Sequence, residues 1–127
     1  MEKIVVRTEA APAPFQGAPY NQAIRVGNLV FVAGQLGLKP AETVAVGDAA
    51  QQAEQAMRNL AAVLEAAGSS LTKLVKTTVF LQDLDDFAAV NEVYARHAGD
   101  QPPARSTVQV AKLPANARVE IEAIAHI

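Results

Sequence analysis

The sequence predicts an α+β domain: a mixed β-sheet with two helices packed on one face. Three observations carry this. Strand-length runs of β-branched and apolar residues alternate with two segments of helical period. Two helices can cover only one face of such a sheet. The 127 residues, half of them hydrophobic, fit one domain with a real core, so residues 1–127 are read as a single unit.

Ala10 to Pro19 carries three prolines and a glycine and reads as a loop. Asn21 to Val26 and Leu29 to Gly34 then flank Gly27-Asn28, a two-residue hairpin turn of types that tolerate positive φ. Leu29 to Ala33 is apolar on both faces, which predicts cover on both sides. Pro40 to Gly47 reads as a second loop. Asp48 to Ala67 is a helix, with Ala53, Ala56, Met57, Leu60, Val63, Leu64 and Ala67 at helical spacing. Asp48 can cap its start, and Gly68 suits the left-handed residue past its end.

Lys73 to Leu81 is rich in β-branched residues and reads as a strand. A second helix runs from about Asp85 to His97, with Phe87, Val90, Val93 and Tyr94 inward. Arg105 to Ala111 and Arg118 to Ile127 read as the last two strands. The apolar second face of the sheet is expected to be buried against other copies of the chain. Cover by loops is the alternative.

Composition removes several classes of function. Lys plus Arg is 11 and Asp plus Glu is 13, a net charge of −2, which is a poor footprint for a nucleic-acid binder. It gives no reason to expect an anionic membrane either. There is no cysteine for a disulfide, a thiolate metal site or a thiol nucleophile. His97 and His126 have no metal-ligand spacing. The opening Met-Glu-Lys-Ile-Val-Val-Arg is too short and charged for a signal peptide, and no stretch approaches a membrane span. A cytoplasmic protein with no cofactor is the expectation.

The polar residues of the last two strands are the chemical candidates. With period two, Arg105, Thr107 and Gln109 share one face and Ser106, Val108 and Val110 the other. Val119, Ile121 and Ala123 are expected to join the valines toward the helices. Glu120 and Glu122 would then lie with Arg105 on the face buried between subunits. Arg offers a planar fork for a substrate carboxylate, and a nearby carboxylate can orient or deprotonate water. Together they suit hydrolysis of a small anionic substrate. An Arg–Glu ion pair that only fixes an interface is the alternative.

Tyr20, in a loop, is a pocket wall or an ordinary half-buried ring. Asn91 is a ligand contact or a helix-surface amide. Ser69-Ser70 and Thr77-Thr78 have no neighbouring His or Lys to activate them. The glycines form no phosphate loop. If the last two strands pair as a hairpin centred near Pro114-Ala115, Gln109 faces Glu120 and Arg105 faces Ile124. Arg105 and Glu120 are then about 13 Å apart along the ladder, too far to grip one small substrate. The expectation is that Arg105 of one subunit works with Glu120 of its neighbour.

At these residues the chain resembles the RidA (YjgF) family of reactive-intermediate deaminases, over nearly its whole length. The most specific segments are Pro103-Ala104-Arg105-Ser106, Val108, Leu113-Pro114 and Val119-Glu120-Ile121-Glu122. Ala18-Pro19-Tyr20, Ala33-Gly34-Gln35, Glu65 to Gly68, Val75 to Phe80, Asp83 to Phe87 and Val90-Asn91 support them.

The resemblance implies a chorismate-mutase-like homotrimer with clefts between subunits. It also implies hydrolysis of 2-imino and enamine acids, such as 2-iminobutanoate and 2-iminopropanoate, to 2-oxo acids and ammonia. Arg105 matches the arginine that holds the substrate carboxylate, and Glu120 the glutamate that handles water. Tyr20, Ala33, Gly34, Asn91 and Thr107 match pocket positions. Thr107 stands where a cysteine often occurs and Ala33 where a serine often occurs, and the reaction needs neither a thiol nor a serine nucleophile. The rival expectations are a non-catalytic trimer that binds small carboxylates or protein clients, a ribonuclease or translation inhibitor, and a relative acting on another enamine or a carbamate.

Overall fold

The computed structural model describes residues 1–127. Six strands form one sheet: β1 (Lys3–Val6), β2 (Ala23–Val26), β3 (Leu29–Leu36), β4 (Leu74–Leu81), β5 (Ala104–Gln109) and β6 (Val119–His126). Two helices, α1 (Ala49–Ala66) and α2 (Phe87–Ala98), complete the α+β architecture.

Local chemistry explains where the elements stop and start. Gly27 and Asn28 close the β2–β3 hairpin between the paired Val26 and Leu29. Gly27 alone takes the left-handed region there, with φ of 57°. At α1 the Asp48 carboxylate accepts from the Gln51 N–H while the Gln51 side chain accepts from the Asp48 N–H. This reciprocal cap satisfies two otherwise orphaned donors. Gly68, at φ of 87°, turns the chain away past α1.

The strand order is β1-β2-β3-β6-β4-β5. β4 pairs parallel with β5 through the α2 crossover and antiparallel with β6. The last two strands therefore form no hairpin; β4 lies between them, and the pairing of Gln109 with Glu120 does not exist. β1 is an element that alternation did not reveal. Ile4 and Val5 are exposed and only Val6 is buried, so this short apolar run carries no periodic signal.

Both helices pack on one face of the sheet. Met57, Leu60, Val63 and Leu64 of α1 are fully buried in one core with Val30, Val79, Leu81, Val119 and Ile121. Truncating such a leucine to alanine costs about 2–5 kcal/mol. A charged clasp joins α1 to α2 at the surface. The Glu54 carboxylate meets His97 Nε2 at 2.9 Å and Arg58 Nε at 3.0 Å. These partners, His97 first, hold the Glu54 carboxyl below the ordinary glutamate range.

The opposite face has no helix. Leu29 (42% exposed), Phe31 (43%) and Val108 (43%) lie on it in the single chain. The β5 faces are the reverse of the sequence expectation. Thr77 of β4, fully buried, shares a hydrogen bond with the Tyr94 hydroxyl of α2 and stands level with Arg105. Arg105 and Thr107 thus face the helices. Val108, level with Phe80 and through it with Glu120, faces the open side. Phe87 also departs from the expected inner face: it is 42% exposed and stacks on Arg105.

Candidate functional site

The candidate residues fall into two groups on two different walls of the chain. The first group surrounds Glu120. Opposite β6, the ladder of β3 is regular to Val32↔Ala123 and resumes at Gln35↔Ile121, so Ala33 and Gly34 together stand against one residue. This bulge turns the β3 backbone toward Glu120. Gly34 leaves room for the carboxylate: a Cβ on it would come within 2.6 Å of Glu120 Oε2. Ala33, Gly34, Glu120 and Pro114 line one cleft of about 520 Å³ with Phe15, Ala18 and Tyr20. Tyr20 is held in its loop by its hydroxyl, which accepts from the Phe15 N–H.

Glu120 is half-buried and has no hydrogen-bonding or ionic partner within the chain. Burial, with a further push from the neighbouring Glu122 carboxylate, holds its carboxyl above the ordinary glutamate range. A carboxylate perturbed this way moves toward the pKa of an effective general base.

The second group surrounds Arg105. Its Nη2 donates to Asn91 Oδ1 at 2.6 Å. The guanidinium lies 4.8 Å from the Tyr94 ring centroid and 5.6 Å from that of Phe87. Phe87, Asn91 and Tyr94 recur at i, i+4 and i+7, so α2 turns one stripe toward the β5 edge. Arg105 forms no ion pair. Its fork is therefore oriented by an amide and two rings without being neutralised. Arg105, Asn91 and Tyr94 line a second cleft of about 390 Å³ with Pro102 and Pro103. Thr107 follows on the same face, and its hydroxyl is buried without a hydrogen-bond partner.

The two groups do not meet within one chain. Through Thr77, Arg105 stands level with Ala123, three residues from Glu120 and two strands away. Strand spacing and rise put their Cα atoms about 14 Å apart. They also project from opposite faces, which corrects the expectation that they share one. The intrachain Arg105–Glu120 ion pair is absent. No cluster of His, Asp and Glu is arranged to hold a metal ion, and no helix is long and apolar enough to cross a membrane.

Sequence reasoning missed the aromatic support of Arg105, although the 87–91–94 spacing held the signal. It also missed Phe15 and Pro114 as walls of the Glu120 cleft. Both lie in non-periodic loops, where only the three-dimensional return of the chain brings them to the site.

The model of the family described as Endoribonuclease L-PSP matches residues 8–127. A RutC family protein of Pyrococcus abyssi is 48% identical over 99% of this chain and 98% of its own. The 2-iminobutanoate/2-iminopropanoate deaminase of Mus musculus is 45% identical over 95% of this chain and 89% of its own. The crystal structure of RidA from the Antarctic bacterium Psychrobacter sp. superposes with a TM-score of 0.93 at 44% identity, covering 98% of this chain and 99% of that one.

Proposed function

The chain belongs to the Endoribonuclease L-PSP (RidA/YjgF) family, and from that membership we propose that it is a deaminase hydrolysing small 2-imino acids to 2-oxo acids and ammonia. The observation that carries this reading is a pair of uncompensated charges. Arg105 has no carboxylate partner, Glu120 has no cation, and each opens on a cleft. A small anion with an electrophilic carbon supplies what both lack.

In the proposed reaction, Arg105 holds the substrate carboxylate with a bidentate fork, steadied by Asn91 and the rings of Tyr94 and Phe87. This places the imine carbon against the Glu120 wall. Glu120 accepts a proton as water adds to that carbon of the protonated imine, giving a tetrahedral adduct that bears hydroxyl and amino groups. The proton passes to the amine nitrogen. The hydroxyl gives its proton to the again ionised Glu120 as the carbonyl forms and the C–N bond breaks, and ammonia departs, carrying that proton away as ammonium. Positioning and electrostatics supply the acceleration. Thr107, Tyr20, Ala33 and Gly34 shape the pocket around these groups.

The separation of Arg105 from Glu120 within one chain supports a site completed between subunits. The exposed apolar residues of the open face support association through that side, in a homotrimer. The reading is tested by generating 2-iminobutanoate or 2-iminopropanoate with a dehydratase and following its loss. The expected result is decay accelerated in proportion to added protein; decay at the spontaneous rate contradicts the proposal.

A further inference from the structure

We propose that Gln22 is a positioning residue for this reaction: its side chain gathers the N-terminal loop beside a backbone that is bonded to the β3 bulge, and so sets the loop wall of the Glu120 cleft. The inference rests on the deamination reading. Gln22 is 4% exposed, an unusual place for an amide unless it is fully used. Its Oε1 accepts from the Thr8 N–H at 2.7 Å. Its Nε2 donates toward the carbonyls of Pro12 at 2.8 Å, Thr8 at 3.0 Å and Ala11 at 3.2 Å. One side chain therefore gathers the turn from Thr8 to Pro12, a stretch that belongs to no strand or helix.

The same residue reaches the opposite wall through its backbone. The Gln22 carbonyl accepts from the Ala33 N–H at 2.9 Å, and the Ala33 carbonyl accepts from Gln35 Nε2 at 3.0 Å. Ala33 is the residue beside Gly34, and Gly34 is the backbone against which Glu120 lies. The gathered turn leads into Phe15 and Tyr20, which close the far side of that cleft. Gln22 is thus the joint between the two walls, although it does not itself line the Glu120 cleft. Loosening the side chain would let the loop wall of Phe15 and Tyr20 shift relative to the carboxylate while the β3 bulge, held by backbone bonds, and the Arg105 group, on another wall, stay in place.

That separation gives a test. Gln22→Met keeps the length and bulk of the side chain and removes its four side-chain contacts with Thr8, Ala11 and Pro12, leaving the backbone bond to Ala33. Gln22→Glu keeps the acceptor for Thr8 and removes the donors, and it supplies the same measurement should the methionine variant fail to fold. The chain has two tyrosines, one beside each charge: Tyr20 by the Glu120 cleft and Tyr94 by Arg105. In protein labelled with 3-fluorotyrosine, the variant is expected to move or broaden the Tyr20 fluorine resonance and leave that of Tyr94 in place. With 2-iminobutanoate, kcat is expected to fall roughly 10- to 100-fold with KM within about twofold, because anchoring is intact and alignment is lost. Wild-type kcat, or equal disturbance of both resonances, overturns the proposal. If the wild-type protein shows no deamination, that reading fails separately, and the Tyr20 resonance still decides whether Gln22 sets this wall.

Discussion

Gly34 and Glu120 are in contact across the β3–β6 ladder, so close that a single methyl group on Gly34 would overlap the Glu120 carboxylate. The bulge at Ala33-Gly34 brings the two together. The obstruction is to the far end of a flexible side chain rather than to backbone, so the fold can yield by moving Glu120.

Gly34→Ala is therefore expected to leave the melting temperature nearly unchanged and to lower kcat roughly 10- to 100-fold, the cost of a misplaced catalytic group. Thermal unfolding and steady-state kinetics on one preparation check this. Full activity in the variant would show that the position of Glu120 does not matter to turnover.

Arg105→Ala is expected to reduce kcat/KM at least about tenfold to a hundredfold, the loss of a charge-assisted bidentate contact. Arg105→Lys should recover little, since an ammonium reproduces neither the fork nor the stacking on Tyr94 and Phe87. The measurement is kcat/KM with circular dichroism as a control for folding. Near-normal turnover in Arg105→Ala would assign the arginine to structure.

The raised pKa of Glu120 gives a pH dependence with a definite sign. Glu122 contributes to the shift after burial, so Glu122→Gln should let the Glu120 carboxyl fall toward its ordinary value. A base must be ionised to work, so the acidic limb of the kcat/KM profile should move to lower pH. Stability runs the other way. A carboxyl raised in the folded state binds protons more tightly there than when unfolded, so it costs stability as pH rises through that window. Glu120→Gln should abolish most activity yet be no less stable than wild type at pH 7, an advantage that fades below the ordinary glutamate pKa. Loss of both activity and stability at pH 7 would mark Glu120 as structural.

The open face, with Leu29, Phe31 and Val108 exposed, should be covered in solution by neighbouring subunits. Light scattering is expected to give three times the chain mass at micromolar concentration. Phe31→Glu on that face should dissociate or destabilise the assembly. A stable wild-type monomer contradicts the expectation.

Some of this architecture was legible in the residues and some was not, for physical reasons. α1 announced itself because Ala53, Met57, Leu60 and Leu64 keep a helical period between an acidic cap and a terminal glycine. The β2–β3 turn did so through Gly27-Asn28. Strand partners were not legible, because alternation says which residues share a face and nothing about which strand lies alongside. β5 and β6 are neighbours in sequence, yet β4 separates them. The faces of β5 were misread for a related reason. Val108 has the character of a core residue and Arg105 that of a surface one, but Arg105 packs its fork against α2 while Val108 stays open. The residues of the candidate site were visible as residue types. Their division into two walls needed the fold.

On the proposed reading, Arg105 of one subunit and Glu120 of its neighbour form one site. Complementation between the two inactive variants decides whether they do. Arg105→Ala and Glu120→Ala proteins are unfolded together in equal amounts, refolded, and assayed for imine hydrolysis, with tagged chains confirming that mixed trimers form. If the site spans the interface, random assembly leaves about a quarter of the sites with both residues intact, and activity should return toward that fraction of wild type. If mixed trimers form and no activity returns, both residues act from the same chain and the claim is wrong.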